Sequence, residues 1–480
     1  MLPQTGVTFS CDDAPMQRLF DEAERKCLQN LKRFGDDLVL VEGGGYEKIW
    51  LETQPMGGEM YAKRNMTAAM NNQLLFMRTQ RADGRLAGSI QCHPDGTIEP
   101  QFNKFQGFCF PLHALNMWYL TGKDEAYLDA LATCLARFDR YLWNTRDADG
   151  DGCLESFCVY DTGEDNALRY GNAPVYWTMD TPPEEADVVP MASMDVTSFS
   201  YACRETLAEI ARLRGDQRMA ETWRARADLV ATRLRARLWD EQRHACFDRD
   251  KSGNPIDVLC HNTLRCMYWG SISQEMADAF VREHLLNPQE FWTTLPLPSV
   301  AVNDPLFRNA PENNWSGQCE GLTYQRAIIA LERYGYEPIV TRLGKKLLSA
   351  IIRGGYVFTQ QFDPFTGEPS RVGMVSHEVL SRDSTEPFQD AYGPTLLAAL
   401  EYIAHIWGIA LVGDEVWFSL GSGMRYTYTQ RFGDDIYEIK SDGRSALVYK
   451  NQTLVGSSPC GVRLVTTRDG RLRRTIRIED

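Results

Sequence analysis

The chain has 480 residues, 43% of them hydrophobic and 24% charged, a composition that suits one large globular domain with an appendage. Its formal net charge of −14 excludes a protein that lives by neutralising phosphate backbones. No apolar run reaches the ~20 residues that cross a bilayer, so neither nucleic acid nor membrane is an expected partner. The N-terminus has no basic and apolar leader, and the 13 Cys follow no framework spacing, which predicts a reduced, cytoplasmic protein. No Cys-x-x-Cys pair occurs and the seven His are scattered, which argues against zinc.

Helical periodicity runs from residue 15 to 410. Stripes at three- and four-residue spacing include Met66, Met70, Gln73, Leu74 and Met77, then Leu128, Leu131, Leu135, Phe138 and Leu142. Val196, Phe199, Cys203, Leu207 and Ile210 continue the series, and Leu396, Leu400, Ile403 and Trp407 end it. The pattern predicts eleven helices, over 15–32, 60–78, 107–121, 125–143, 194–214, 217–238, 261–270, 274–286, 317–334, 337–353 and 391–408. Short links alternate with long ones (144–193, 287–316 and 354–390) rich in Gly, Pro, aromatic and acidic residues. Helix pairs tied tightly at one end and loosely at the other describe an all-α (α/α)6 barrel with its long loops crowded at one mouth. Such a barrel has twelve helices, one more than the periodicity reveals. After Gly408 the pattern becomes short alternating strands broken by Gly, Asp and Ser, which predicts a small C-terminal antiparallel β module. The expected organisation is an N-terminal segment over 1–50, a barrel over 51–410 and the β module over 411–480.

One loop concentrates chemistry. Tyr160-Asp-Thr-Gly163-Glu164-Asp165-Asn166-Ala-Leu-Arg169-Tyr170 sets three carboxylates, an Asn, an Arg and two Tyr around one Gly. A carboxylate desolvated among such groups can hold a proton and donate it to a leaving group, and Asp165 is the candidate. A surface turn built around Asp and Gly is the alternative.

This segment resembles the acid-bearing loop of the glycoside hydrolases related to family 63 (processing α-glucosidases), the trehalases and the mannosylglycerate and glucosylglycerate hydrolases. Gly163, Asp165, Asn166 and Arg169 match their motif, with Thr162 and Ala167 standing where Ser is usual. Met194-Asp195-Val196-Thr197-Ser198-Phe199 and Asn314-Trp315-Ser316-Gly317 resemble two of their helix starts, the second without its usual Arg. The resemblance runs from about Met60 to Gly408 and implies an inverting exo-acting α-glycosidase on a small glucoside or oligosaccharide, with Asp165 as general acid. At the position of the family's base, Gln360-Gln361-Phe362-Asp363 carries Gln360 where Glu is expected. An amide cannot deprotonate water. Glu386 is therefore the preferred base, held by Pro387, with Glu378 as the other candidate. Three alternatives stay open: a glycoside phosphorylase, a non-hydrolytic sugar-binding protein and a sugar epimerase on the same barrel.

Candidate substrate contacts are Arg64, Arg169, Trp177, Trp315, Gln318, Gln360, Gln389 and Tyr392, since sugars bind through aromatic faces and convergent hydrogen bonds. Asp147, Asp149, Asp151 and Glu155 resemble the start of a calcium loop, but the carboxylate that an EF-hand needs at position 158 is Cys158. No cofactor is expected to be required; calcium is the one candidate, with a metal-free Asp/Gly turn as the preferred reading.

Overall fold

The computed structural model describes residues 2–381 and 383–480. Among the described residues twelve α-helices occur. They are α1 (Ala14–Cys27), α2 (Gln54–Tyr61), α3 (Met66–Arg78), α4 (Pro111–Leu120), α5 (Glu125–Thr145) and α6 (Met194–Leu213). After them come α7 (Gln217–Leu238), α8 (Asn262–Trp269), α9 (Gln274–Phe280), α10 (Gly321–Glu332), α11 (Glu337–Arg353) and α12 (Gly393–Trp407). The even-numbered helices form an inner ring: each packs on the next, and α12 returns to α2 and closes it. Odd-numbered helices lie against them, α1 and α11 on α12, α3 on α2 and α7 along α6. This closed ring supports the (α/α)6 barrel that the link lengths predict. Every residue of inner α12 is buried, whereas outer α7 buries one stripe, Ala220, Ala227, Val230, Ala231, Leu234 and Leu238.

The twelfth helix is α2. The predicted segment 60–78 divides into the end of α2, a short turn, and α3, whose Asn65 cap accepts from the Ala68 N–H at 3.0 Å. Gly57 and Gly58 hide α2 from a propensity reading, because glycine is a poor helix former. Close packing explains them: a Cβ on Gly57 would lie 2.9 Å from Leu397 Cδ1, and one on Gly58 2.7 Å from Asn72 Cβ. The stripe on α3 also needs correction. Met66 and Gln73 of that stripe are buried, together with Ala69, Asn72 and Phe76, while Met70, Leu74 and Met77 are only partly covered.

The first 50 residues do not form a segment apart. Thr5–Cys11 pairs antiparallel with Tyr426–Phe432 and so becomes the edge of a C-terminal five-stranded sheet, and α1 belongs to the outer helices. A four-stranded antiparallel sheet (Ile409–Val412, Glu415–Leu420, Val462–Thr467 and Leu472–Arg477) completes the β module. Buried Arg463 pins that module to the barrel, donating to Glu332 Oε1 at the end of α10 (2.5 Å) and to the His405 carbonyl of α12 (3.1 Å).

Side-chain caps are unevenly shared between the rings. Asp13, Asn65, Asp124, Asp216 and Ser273 cap outer helices, though outer α11 has none; Ser193 caps inner α6, but inner α2, α4, α8, α10 and α12 start without one. Their free N–H groups and positive dipole ends are left for whatever gathers at the barrel mouth. No helix among the described residues is long and apolar enough to cross a membrane.

Candidate active site

Within the connection between α5 and α6, the stretch 160–170 is anchored by buried charge. At its start the buried Asp161 carboxylate accepts the N–H groups of Phe105 and Phe157 at 3.0 and 2.9 Å, with Arg146 at 3.4 Å. Gly163 follows with φ +77°, and a Cβ there would meet Glu52 Oε2 at 2.1 Å, so no other residue fits. Glu164 turns inward, where it accepts from Arg169 and, at 3.0 Å, from Asn262. Burial raises the Glu164 carboxyl, but Arg169 and Arg265 overcome that and hold it low. With Glu164 committed inward, Asp165 is left facing the mouth.

Gln106 Nε2 donates to Asp165 Oδ1 at 3.1 Å and to Glu52 Oε1 at 3.2 Å, and Arg326 grips Glu52 Oε2 at 3.0 Å. Burial, joined by the charge of Glu52, pushes Asp165 up to about 7, against the Gln106 hydrogen bond and the nearby Lys104 ammonium. Lys104 is itself buried among rings, its Nζ 4.8 Å from the centre of Tyr176, 5.1 Å from Trp50 and 5.8 Å from Tyr160. That burial lowers its ammonium to about 8. Two further carboxyls, Glu42 and Glu320, are pushed well above the usual range by burial and by their acidic neighbours. Glu42 accepts from Tyr392 Oη at 3.0 Å, and Glu320 from Asn314 Nδ2 at 2.7 Å.

Asp165 opens on a cavity of about 570 Å³ whose walls include Tyr46, Tyr160, Trp315, Gln360, His377 and Glu378. Asn166 and Asn314, joined at 2.6 Å, form one side, and Asn166 also accepts the Trp315 N–H at 3.0 Å. Tyr46 donates to Gln360 Oε1 at 3.2 Å and stacks on His377 with ring centres 4.4 Å apart.

Of the predicted residues, Asp165, Glu378, Trp315 and Gln360 meet at this cavity. Glu386 is placed otherwise: its carboxylate accepts the N–H groups of Val375 and Ser376, both at 2.9 Å, and holds its own loop's turn. These backbone donors keep it below the usual carboxylate range. Glu386, expected to face Asp165, does not line this cavity, whereas Glu378, the other candidate, does. Arg64 sits at the far end of α2, paired with Glu24 at 2.6 Å. Arg169 is buried between Glu164 and Asp248 and serves the loop, not the cavity. Trp177 Nε1 donates to the Thr181 carbonyl at 2.7 Å, outside the cavity wall. Gln318 lies behind the wall, accepting from Gln361 at 2.9 Å and Ser370 at 2.8 Å. Gln389 is buried beside Tyr46, and Tyr392 supports Glu42; both back the wall without lining it. Asp147, Asp149 and Asp151 bring ligand oxygens within 4.8 Å of one another. They also accept backbone N–H groups of their own turn, Asp151 pairs with Arg237 at 2.5 Å, and Glu155 accepts the Ala148 N–H at 2.9 Å.

Glu52, Gln106, Lys104 and Glu320 escaped the sequence reading. Each stands just ahead of an inner helix, and Glu42-Gly-Gly-Gly-Tyr46 was the one local signal, a glycine run between an acid and an aromatic.

A carboxyl held near neutrality, a second carboxylate on the same cavity and aromatic walls are the groups that glycoside hydrolysis calls for. Residues 56–383, well over half of the chain, match the mannosylglycerate hydrolase MGH1-like glycoside hydrolase domain, and the chain belongs to that family. The matched domain is a glycoside hydrolase domain. A probable trehalase of Eremothecium gossypii is 23% identical over 235 residues, 46% of this chain and 30% of that protein. The chain thus matches under a third of that relative's length. The family 63 mannosylglycerate hydrolase of Thermus thermophilus, solved with glucose, superposes with a TM-score of 0.60 at 18% identity, over 80% of this chain and 99% of that one. A protein described as a sialidase superposes with a TM-score of 0.69 at 15% identity, over 97% of this chain and 41% of that one. At such identities the superpositions speak for the fold alone.

Proposed function

We propose that the protein is an inverting, exo-acting α-glycosidase that releases the terminal sugar of a small glucoside or mannoside. Asp165 donates its proton to the glycosidic oxygen, and Glu378 takes one from the attacking water. The observation that carries this reading is that both carboxylates line one cavity, the first held near neutrality by burial and the second exposed to solvent. Inversion needs the two groups on opposite faces of the sugar, separated by about 6.5–9.5 Å so that a water fits between. The hydrolase and trehalase names among the relatives favour small glucosides and mannosides over polymers.

The test is proton NMR of the first-formed sugar, with α-glucosides, α-mannosides and trehalose offered with and without inorganic phosphate. Release of the β-anomer is expected, accompanied for trehalose by one α-glucose from the leaving half; α-anomer from the glucosides and mannosides, or α-glucose alone from trehalose, would overturn inversion. Glu378→Gln should lower turnover by about 10²–10⁴-fold, and near wild-type rates would return the base to another residue. Gln360, an amide on the cavity wall at the place of the family's Glu, is what favours the phosphorylase as second reading. Sugar 1-phosphate formed only with phosphate would decide for it. We also propose that the enzyme needs no metal, because the Asp147–Asp151 carboxylates are already bonded within their turn. EDTA should leave activity and melting temperature unchanged, and a fall in either, restored by calcium, would show that the turn is a calcium site.

A further inference from the structure

The acid does not stand alone, and the structure shows what it is coupled to. Gln106 is a side-chain-bearing residue at φ +58°, a conformation that needs support from its surroundings. That support comes from the acid loop: the Gln106 N–H donates to the Tyr160 carbonyl at 2.9 Å and the Gly107 N–H to the Asp161 carbonyl at 3.0 Å. The backbone thereby fixes the one amide that touches both Asp165 and Glu52. Its orientation follows from chemistry, since carboxylates accept and only the NH2 end can serve two of them. Behind it, Arg326 holds Glu52 Oε2 at 3.0 Å, and its cation opposes, without cancelling, the upward push of burial on the Glu52 carboxyl.

Other charged or titratable groups face Asp165 too: Lys104 ahead of α4, Glu164 on its own loop, Glu42 and Tyr46 ahead of α2, Glu320 ahead of α10, and Tyr160 and Tyr176. Glu164 is spent on Arg169, and Glu42 and Glu320 are driven toward their neutral forms by burial. Among the described residues, Glu52 alone shares a hydrogen-bond donor with Asp165.

We propose that Glu52 and Gln106 are positioning residues for the acid: one clamped amide holds two carboxyl groups side by side, and the charge on Glu52 keeps the proton on Asp165 until the leaving oxygen takes it. Arg326 is the third member, since its cation favours the charged form of Glu52. This rests on Asp165 being the acid.

The two residues act in opposite senses, which gives the test its sign. A negative neighbour discourages ionisation of Asp165, whereas a donor to its carboxylate encourages it. The basic limb of the kcat/KM profile on an unactivated glycoside reports the proton on Asp165. Glu52→Gln should move that limb to lower pH by about 1 unit or more, and Gln106→Leu should move it to higher pH. A merely structural role would lower the profile without moving the limb. Unmoved limbs, or shifts of one sign in both variants, overturn the proposal while leaving the acid in place if Asp165→Asn is inactive. An active Asp165→Asn enzyme overturns both. If Glu52→Gln fails to fold because Arg326 loses its partner, Gln106→Leu decides, and no upward shift refutes the coupling.

Discussion

Replacing Asp165 by Asn leaves the protein folded and lowers turnover on an unactivated glycoside by about 10²–10⁴-fold, the scale of general acid–base catalysis. Folding survives because the side chain's hydrogen bond from Gln106 goes to an oxygen that Asn retains. Turnover does not, because an amide has no proton to give to the departing oxygen. A nitrophenyl glycoside should lose much less, since its leaving group departs without protonation. Near wild-type rates on the unactivated substrate would remove Asp165 from the mechanism. The pH dependence has a definite sign as well. Burial raises Asp165 to about 7 and the donor must be protonated, so activity is present below that pH and falls as pH rises through it. An Asp at its ordinary value would already be ionised near pH 5 and would make a poor acid at neutrality.

The barrel was legible because its helices are long and amphipathic. Leu128, Leu131, Leu135, Phe138 and Leu142 of α5 are all buried, as the 3–4 spacing requires. The helix that stayed hidden is short and carries Gly57 and Gly58, whose value lies in contacts with Leu397 and Asn72 that sequence distance conceals. The strand at Thr5–Cys11 was missed for a related reason, since its partner Tyr426–Phe432 is over 400 residues away. At the site, motif matching reached Asp165 and Gln360, but not the groups that give Asp165 its chemistry. Glu52 and Gln106 belong to different links and meet Asp165 only when the inner helices close into a ring. Glu386 illustrates the converse error. Its place before the last helix suggested a base, yet backbone donors within its own loop claim the carboxylate.

Arg169 is the residue where resemblance and physics divide most clearly, and its removal should cost the most stability. It matches the family's loop motif and suggests a substrate contact, but the guanidinium is buried between Glu164 and Asp248, the latter at 3.0 Å, with Asp195 at 3.8 Å. Among the described residues, Arg169→Ala leaves these carboxyls buried with Arg265 as the remaining paired cation, and breaking a buried pair in this way costs about 3–5 kcal/mol. Total stabilities are about 5–15 kcal/mol, so the variant loses a large part of its margin. Urea denaturation at pH 7 measures it. Arg169 and Arg265 hold Glu164 below its unfolded value, so that part of the stability is present above the unfolded pKa and is lost as pH falls. The gap between wild type and Arg169→Ala should therefore narrow from pH 7 toward pH 4, as the stranded carboxyls take up protons. Arg169→Lys should recover only part of the loss, because a single ammonium cannot reproduce a fork that reaches Glu164 through one nitrogen and Asp248 through the other. A destabilisation below about 1 kcal/mol, joined to a raised KM in the folded variant, would mean that Arg169 binds substrate after all. The expected result is the reverse: a weakened fold whose surviving molecules keep the KM of the wild type, because the residue holds the acid's loop and does not reach the sugar.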